Sequence, residues 1–150
     1  GGFTGLFAAS VRVLYEKLDF GFEILKEILT ESILEDEKRL REILNEVRSK
    51  SQMRLMSSGH TAAVSRATSY FSDVSYYNEI TAGIDYFQSV EQWVREFDSK
   101  KGEIIAGLKR VMGALFTRDN MTVSYTADDR GFSFLPSALK KLSQALPEGE

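Results

Sequence analysis

Two short segments of the chain alternate apolar and polar side chains with a period of two. In residues 7–14 one side carries Phe7, Ala9, Val11 and Val13. In residues 121–127 one side carries Met121, Val123, Tyr125 and Ala127. Successive side chains of a strand point to opposite faces, so this alternation predicts a strand at each place.

Elsewhere apolar residues recur every three or four positions, the spacing that lines up on one face of a helix. The pattern predicts helices over about 15–30, 35–57, 61–71, 78–97 and 100–116, and a last helix from about 133. Pro136 suits the first turn of that last helix, whose buried stripe is Leu135, Leu139, Leu142 and Leu146. Gly59 is expected to end the second helix in the left-handed conformation.

These elements predict an α+β fold in which about six helices cover a small, mostly antiparallel sheet. Two strands are too few for an independently stable sheet, so further strands are expected to be missing or shared with a partner segment. The length of 150 residues fits one folding unit, and the polar end at 147–150 predicts a piece of a longer polypeptide. We therefore expect residues 1–150 to form a single, truncated domain, and the motifs and the resemblance described below predict that it is non-catalytic.

Composition narrows the function classes. The net charge of −3, with acidic and basic residues interleaved, offers no broad positive surface, so nucleic acid is not an expected partner. No apolar run approaches the length of a membrane span, and no signal peptide opens the chain, so we expect no membrane partner. The absence of cysteine fits a reducing compartment, and we expect the cytoplasm or, in a eukaryote, an organelle matrix.

Candidate catalytic chemistry is sparse. A hydrolytic zinc site needs about three protein ligands, yet His60 is the only histidine and no paired-histidine zinc motif occurs. A nucleophilic serine elbow and a glycine-rich phosphate loop are also absent. His60 follows Gly59 at a helix break, where a structural role is the leading interpretation and a ligand or acid–base role is the alternative.

Two further features have a structural and a functional interpretation. The charged run at 35–42 is typical of a solvated helix face, with a docking surface as the alternative. Aromatic residues recur in the middle of the chain, at Tyr70, Phe71, Tyr76, Tyr77, Tyr86 and Phe87. At helical spacing such residues usually belong to a core, and a peptide-binding groove is the alternative interpretation.

Several stretches together resemble one peptidase family. The strongest are SGHTAAVSRA at 58–67, SYFS at 69–72 and YNEITAGIDY at 77–86. Supporting stretches are LKEIL at 25–29, RLREILNE at 39–46 and LFTRDNMTVS at 115–124. In this order they are similar to the presequence protease subfamily of the pitrilysin/insulinase zinc metallopeptidases, over about residues 7–126.

The resemblance implies a protein built from four related α/β sandwich domains, arranged in two halves that close around a chamber in which peptides are cut. This chain would be one of the four domains. The resemblance implies the third domain, which has lost the zinc site, without its opening strand and helix. Glu46 falls on the helix that carries a glutamate ligand in catalytic relatives, but without histidine partners we assign it to no metal. The fragment would hold no cofactor and be inactive alone, with zinc elsewhere in the parent protein.

By that resemblance the chain forms chamber wall and an interface between the halves of a peptide-degrading metalloendopeptidase. Its partners would be the remaining domains and unfolded peptide substrates. Polar or amphipathic residues near the most family-like stretch are the candidate substrate contacts: His60, Arg66, Tyr70 and Tyr77. The alternatives are a standalone helical interaction module that self-associates and, less favoured by the motifs, an independent hydrolase.

Overall fold

A computed structural model describes residues 3–149, and the elements within them are helical. A 3-10 turn at Tyr15–Lys17 leads into the first helix. The α-helices are α1 (Leu18–Thr30), α2 (Glu37–Ser57), α3 (Gly59–Thr68), α4 (Asp73–Ala82), α5 (Ile84–Arg95), α6 (Phe97–Leu115), α7 (Asp129–Phe132) and α8 (Leu135–Ala145). None of these helices has both the length and the apolar character that crossing a bilayer requires.

The predicted α+β fold with a small antiparallel sheet is wrong, because residues 3–149 contain no strand. Both alternating segments run between helices without regular structure, and residues 4–13 and 122–127 make no backbone–backbone hydrogen bond within the described part of the chain. A strand requires a second extended backbone about 4.8 Å away. Alternation of side chains indicates that a segment is extended, but it does not show that a second extended backbone lies beside it. The expectation of an α/β sandwich fails for the same reason.

The helix starts follow from local side-chain chemistry. Asp36 precedes α2 and its carboxylate accepts a hydrogen bond from the Arg39 backbone nitrogen at 2.9 Å. Ser72 precedes α4 and its hydroxyl accepts from the Ser75 nitrogen at 3.4 Å. These contacts satisfy backbone donors that a helix leaves unpaired at its N-terminus. Pro136 lies in the first turn of α8, as predicted.

Two predicted boundaries differ from the structure. Gly59 begins α3, and no described residue has a positive φ, so its predicted role as a left-handed helix terminus is wrong. The single helix predicted over 78–97 is two helices, α4 and α5, separated at Gly83. The short helix α7 also follows the second alternating segment.

The chain divides into two compact units, each described by itself. Unit 1 comprises residues 1–3 and 34–105, of which the structure describes Phe3 and 34–105. Within it, α2 packs on α5, α5 on α4, and α4 on α3. Leu44 of α2 joins Phe97 and Ile104 of α6 in its core. The prediction of one truncated domain over 1–150 stays a prediction.

Unit 2 comprises residues 4–33 and 106–150, described to residue 149. Here α1 packs against α8, and the core joins Leu18 and Phe22 to Ala138 and Leu142. Side chains from both alternating segments pack against this core, including Val13, Met121 and Tyr125. These three residues belong to the sides that carry Phe7 and Val123, but Phe7, Val11 and Val123 themselves are exposed.

Candidate functional site

In unit 1, one charged cluster joins three consecutive helices. Arg66 lies on α3, Glu79 on α4 and Asp85 in the first turn of α5. The Arg66 Nη1 atom lies 3.1 Å from Glu79 Oε1 and also pairs with Asp85 Oδ1. The cluster therefore connects side chains that are distant in sequence.

Glu79 is the centre of this cluster. The residue is fully buried, and its Oε1 atom accepts hydrogen bonds from the backbone nitrogens of Ile84 at 2.9 Å and Asp85 at 3.2 Å. Those nitrogens belong to the first turn of α5, where a negative charge is favoured by the helix dipole. Glu79 thus caps the helix after its own, and Arg66 supplies the opposite charge that a buried carboxylate needs.

The break at Gly83 is what allows the carboxylate to turn back onto α5. A Cβ at residue 83 would overlap the Glu79 carboxylate and lie only 2.8 Å from the Glu79 Cα. The φ of Gly83 is −90°, which other residues also adopt, so space and not backbone conformation requires glycine here. The second carboxylate oxygen, Oε2, is buried and has no hydrogen-bond partner within residues 3–149.

Arg66 is held as a cation from several sides. Hydrogen bonds to Asp85, Glu79 and Tyr70, in that order of importance, raise the pKa of Arg66 above its ordinary value. Its guanidinium carbon also lies 5.9 Å from the centre of the Tyr70 ring. The Arg66 side chain remains 37% exposed, so the cluster is partly accessible to solvent.

The structure brings two of the four candidate contact residues together, Arg66 and Tyr70. His60 lies at the start of α3 and is exposed. Tyr77 lies on α4, where its ring meets that of Phe3 edge-on at 5.5 Å between centres. Sequence reasoning missed Glu79 and Asp85, because the apolar spacing continues across Gly83 and their partner Arg66 lies on an earlier helix.

Aromatic side chains near this cluster face solvent. Tyr70, Phe71 and Tyr76 are exposed by 72%, 88% and 56%, and Tyr77 is also exposed. The interpretation of these four as core residues is therefore wrong. Tyr86 and Phe87, by contrast, are half-buried. We call Tyr70 and Phe71, in the connection between α3 and α4, and Tyr76, on α4, the exposed aromatic residues.

The structure shows the surroundings of Glu46, the acid considered for metal binding. Within residues 3–149, no three histidine, cysteine, aspartate or glutamate side chains lie close enough to hold a metal ion. Glu46 is exposed and pairs with Lys50 at 2.5 Å, one turn further along α2. That hydrogen bond lowers the pKa of Glu46, as expected for a solvated ion pair.

A family model described as peptidase M-16C associated matches residues 2–92, more than half of the chain. The chain belongs to this peptidase-associated family. The matched range contains Arg66, Glu79, Gly83 and Asp85, so this charged cluster lies in the family segment. The resemblance to the presequence protease subfamily of the pitrilysin/insulinase peptidases, over part of the parent chain, is confirmed.

Two relatives match most of the chain. The chain is 28% identical over 133 residues to the protein HypA of Clostridium perfringens, covering 89% of this chain and 14% of HypA. It is 23% identical over 127 residues to presequence protease 1, chloroplastic/mitochondrial, of Arabidopsis thaliana, covering 85% of this chain and 12% of the protease. The chain therefore spans about one-seventh or less of each relative.

Proposed function

We propose that this chain is a non-catalytic part of a zinc-dependent, peptide-degrading metalloendopeptidase, in which it forms chamber wall and an interface between the two halves. The observation that carries the proposal is the pairing of a rigid cluster with exposed aromatic residues. Glu79 and Arg66 join α3, α4 and α5, while Tyr70, whose ring centre lies 5.9 Å from the Arg66 guanidinium carbon, and the adjacent Phe71 face solvent.

A chamber wall for unfolded peptides needs this combination. Aromatic side chains offer a large apolar contact to many peptide sequences, and Tyr adds a polar hydroxyl. Tyr70 and Phe71 lie in the short connection between α3 and α4, and holding that connection between two helices joined by the Arg66–Glu79 pair lowers the entropy lost when a peptide binds. Confinement of this kind positions the substrate for a zinc centre elsewhere in the parent protein, without chemistry in this segment.

Within this proposal the contact residues have different roles. Tyr70, Tyr77 and His60 offer exposed groups to a peptide, and Phe71 adds apolar area. Arg66 already binds two carboxylates, so we assign it to positioning Tyr70, with its partly exposed side chain available to a peptide carbonyl. The remaining domains of the parent protein are the proposed partners, and cytoplasm or organelle matrix is the proposed compartment.

The test is complementation. The chain is mixed with the separately expressed remainder of its parent polypeptide, and cleavage of an unstructured fluorogenic peptide is followed over a range of peptide concentrations. We expect cleavage only when both pieces and zinc are present. No restoration of cleavage, together with stable self-association of the chain, would favour the standalone interaction module instead.

A pair of variants tests the wall itself in the restored enzyme. Phe71→Ala removes an exposed aromatic contact worth about 1 kcal/mol and is expected to raise KM about fivefold with kcat little changed. Met56→Ala is the matched control, because Met56 is 79% exposed but lies on α2. Equal KM values for both variants would remove the exposed aromatic residues from the proposal.

A further inference from the structure

In unit 1, a small open pocket lies where the end of α2, the start of α3 and the end of α4 meet. It has a volume of about 230 Å³ and is lined by residues within 54–65 and 78–83. On the α3 side the lining residues recur every three or four positions, at Ser58, Thr61, Ala62 and Ser65. Pockets for whole drug-sized molecules have roughly 300–1,000 Å³, so this one suits a single terminal residue of a longer ligand.

Polar side chains line this pocket without partners of their own. Four of them make no hydrogen bond to another residue within 3–149: Ser58, Thr61, Ser65 and Asn78. By contrast Ser69, one turn after Ser65 and outside the lining, donates its hydroxyl to the Arg66 carbonyl at 2.7 Å. The pocket therefore offers hydrogen-bonding groups that a ligand can use without breaking a bond inside the chain.

Arg54 supplies the charge of the pocket. It lies in the last turn of α2, and its Nη2 atom donates to the carbonyl of Ala82 at the end of α4. A guanidinium has five donors, so most of them remain for a ligand. Glu79, which lies against Gly83 of the pocket, is already bound by Arg66 and by backbone nitrogens of α5. Among the described residues, Arg54 forms no ion pair with a carboxylate.

The charge pattern around the pocket favours an anion. Residues 47–72 contain four basic residues and no aspartate or glutamate, although the whole chain has a net charge of −3. Two of the four, Lys50 and Arg66, pair with acids outside this range. Arginine holds a carboxylate through two parallel hydrogen bonds, and the neighbouring hydroxyl and amide groups can satisfy its other lone pairs.

The apolar part of the lining distinguishes between anions. Leu55 and Ala62 are half-buried and line the pocket beside the polar groups. Phosphate and sulfate have no apolar surface to place against them. The last residue of a peptide has both parts, because its free carboxylate lies one carbon away from its side chain. A terminal residue with an apolar side chain therefore matches the lining best.

We propose that this pocket binds the C-terminal residue of a peptide, with the free carboxylate on Arg54 and the apolar side chain against Leu55 and Ala62. Capture of a terminal carboxylate by fixed donors is a recurrent mode of peptide recognition. A peptide-degrading parent protein would bring such ends to this surface, so the assignment rests on the proposed function and names the part of the peptide that is bound.

The experiment titrates the isotopically labelled 150-residue chain with an acetylated alanine–alanine–leucine peptide and follows its amide signals by NMR. With a free carboxylate on the peptide, shift changes are expected in 54–65 and 78–83. The same peptide with a C-terminal amide should bind at least about tenfold more weakly, the effect of losing a charged contact. A third peptide, acetylated alanine–glutamate–leucine amide, carries its carboxylate on a side chain and should bind no better than the second.

Three results would overturn the proposal. The first is equal binding of the free acid and the amide, since the carboxylate would then play no part. The second is binding of the glutamate peptide as tight as that of the free acid, which would make the pocket a general site for acidic groups. The third is a set of shift changes that lies outside 54–65 and 78–83.

Two neighbouring alanines of α3 provide matched variants. Ala62 lines the pocket, whereas Ala63 is exposed and does not line it. Ala62→Leu fills the pocket without removing a donor and is expected to weaken binding of the free acid at least about tenfold. Ala63→Leu makes the same change in composition and should leave binding unchanged. Equal binding by the two variants would contradict the assignment.

Arg54→Met tests the cation directly. It keeps most of the apolar stem but removes the guanidinium, and binding of the free acid should fall at least about tenfold. Because the contact with Ala82 is also lost, circular dichroism is used to check that the helices remain. Unchanged binding by a folded Arg54→Met chain would remove Arg54 from the site and overturn the proposal.

The binding and complementation experiments can fail separately. Restored peptide cleavage with no binding of the free acid to the chain would overturn the pocket assignment alone. Binding of the free acid without restored cleavage would support the pocket and count against the proposed chamber wall.

Discussion

Glu79 has two structural roles in one buried side chain. It is fully buried, it caps the first turn of α5 through Ile84 and Asp85, and it pairs with Arg66. A buried carboxylate is stable only when opposite charge and hydrogen-bond donors surround it. The local arrangement of α3, α4 and α5 therefore depends on a residue that contacts no solvent.

Glu79→Ala should lower the free energy of unfolding by about 2 kcal/mol, because two helix-start donors and the Arg66 guanidinium lose their acceptor. Urea unfolding followed by circular dichroism measures the change. Glu46→Ala is the control, since Glu46 is exposed and forms only a one-turn pair with Lys50. We expect no measurable shift in its urea midpoint, and equal shifts for both variants would contradict the role given to Glu79.

Gly83→Ala is expected to destabilise the chain by about 1–3 kcal/mol, since the new methyl would overlap the Glu79 carboxylate. Gly107→Ala in α6 offers a control of opposite sign. No atom lies within 4 Å of the Cβ added there, so alanine should stabilise by about 0.5–1 kcal/mol through its helix propensity. Thermal unfolding of both variants measures the difference, and a stabilised Gly83→Ala would show that the carboxylate moves freely.

At the scale of elements, the helices were the most predictable part of the chain. The apolar spacing at 15–30 and the acidic start of α2 correspond closely to Leu18–Thr30 and Glu37–Ser57. The break at Gly83 was missed because the apolar spacing continues across it. The two helices separate there because the backbone nitrogens of Ile84 and Asp85 donate to the Glu79 side chain.

The start of α2 provides a direct test of an element boundary. Asp36→Ala removes the acceptor for the Arg39 nitrogen and should lower stability by about 1 kcal/mol. Asp36→Asn keeps a side-chain oxygen at the same place and is expected to change stability by only a few tenths of that amount. Urea unfolding separates the two, and an equal loss in both would assign the effect to charge and not to capping.

At the scale of the whole molecule, the proposed supporting role predicts that the chain alone does not hydrolyse peptides. It has one histidine and no cysteine, and no potential metal-binding group of three side chains lies within residues 3–149. A fluorogenic peptide incubated with the pure chain should remain intact with or without added zinc. Zinc-dependent cleavage that His60→Ala abolishes would overturn both this prediction and the proposed supporting role.

The sequence by itself determined where most helices lie, because periodicity and capping act over a few neighbouring residues, and its ordered stretches carried the resemblance to the family. Tertiary structure decided what depends on distant partners. It left residues 4–13 and 122–127 without a paired backbone, so no sheet forms among residues 3–149. It also brought Arg66 to Glu79 and Asp85, because a buried charge is stable only where folding places its opposite charge beside it.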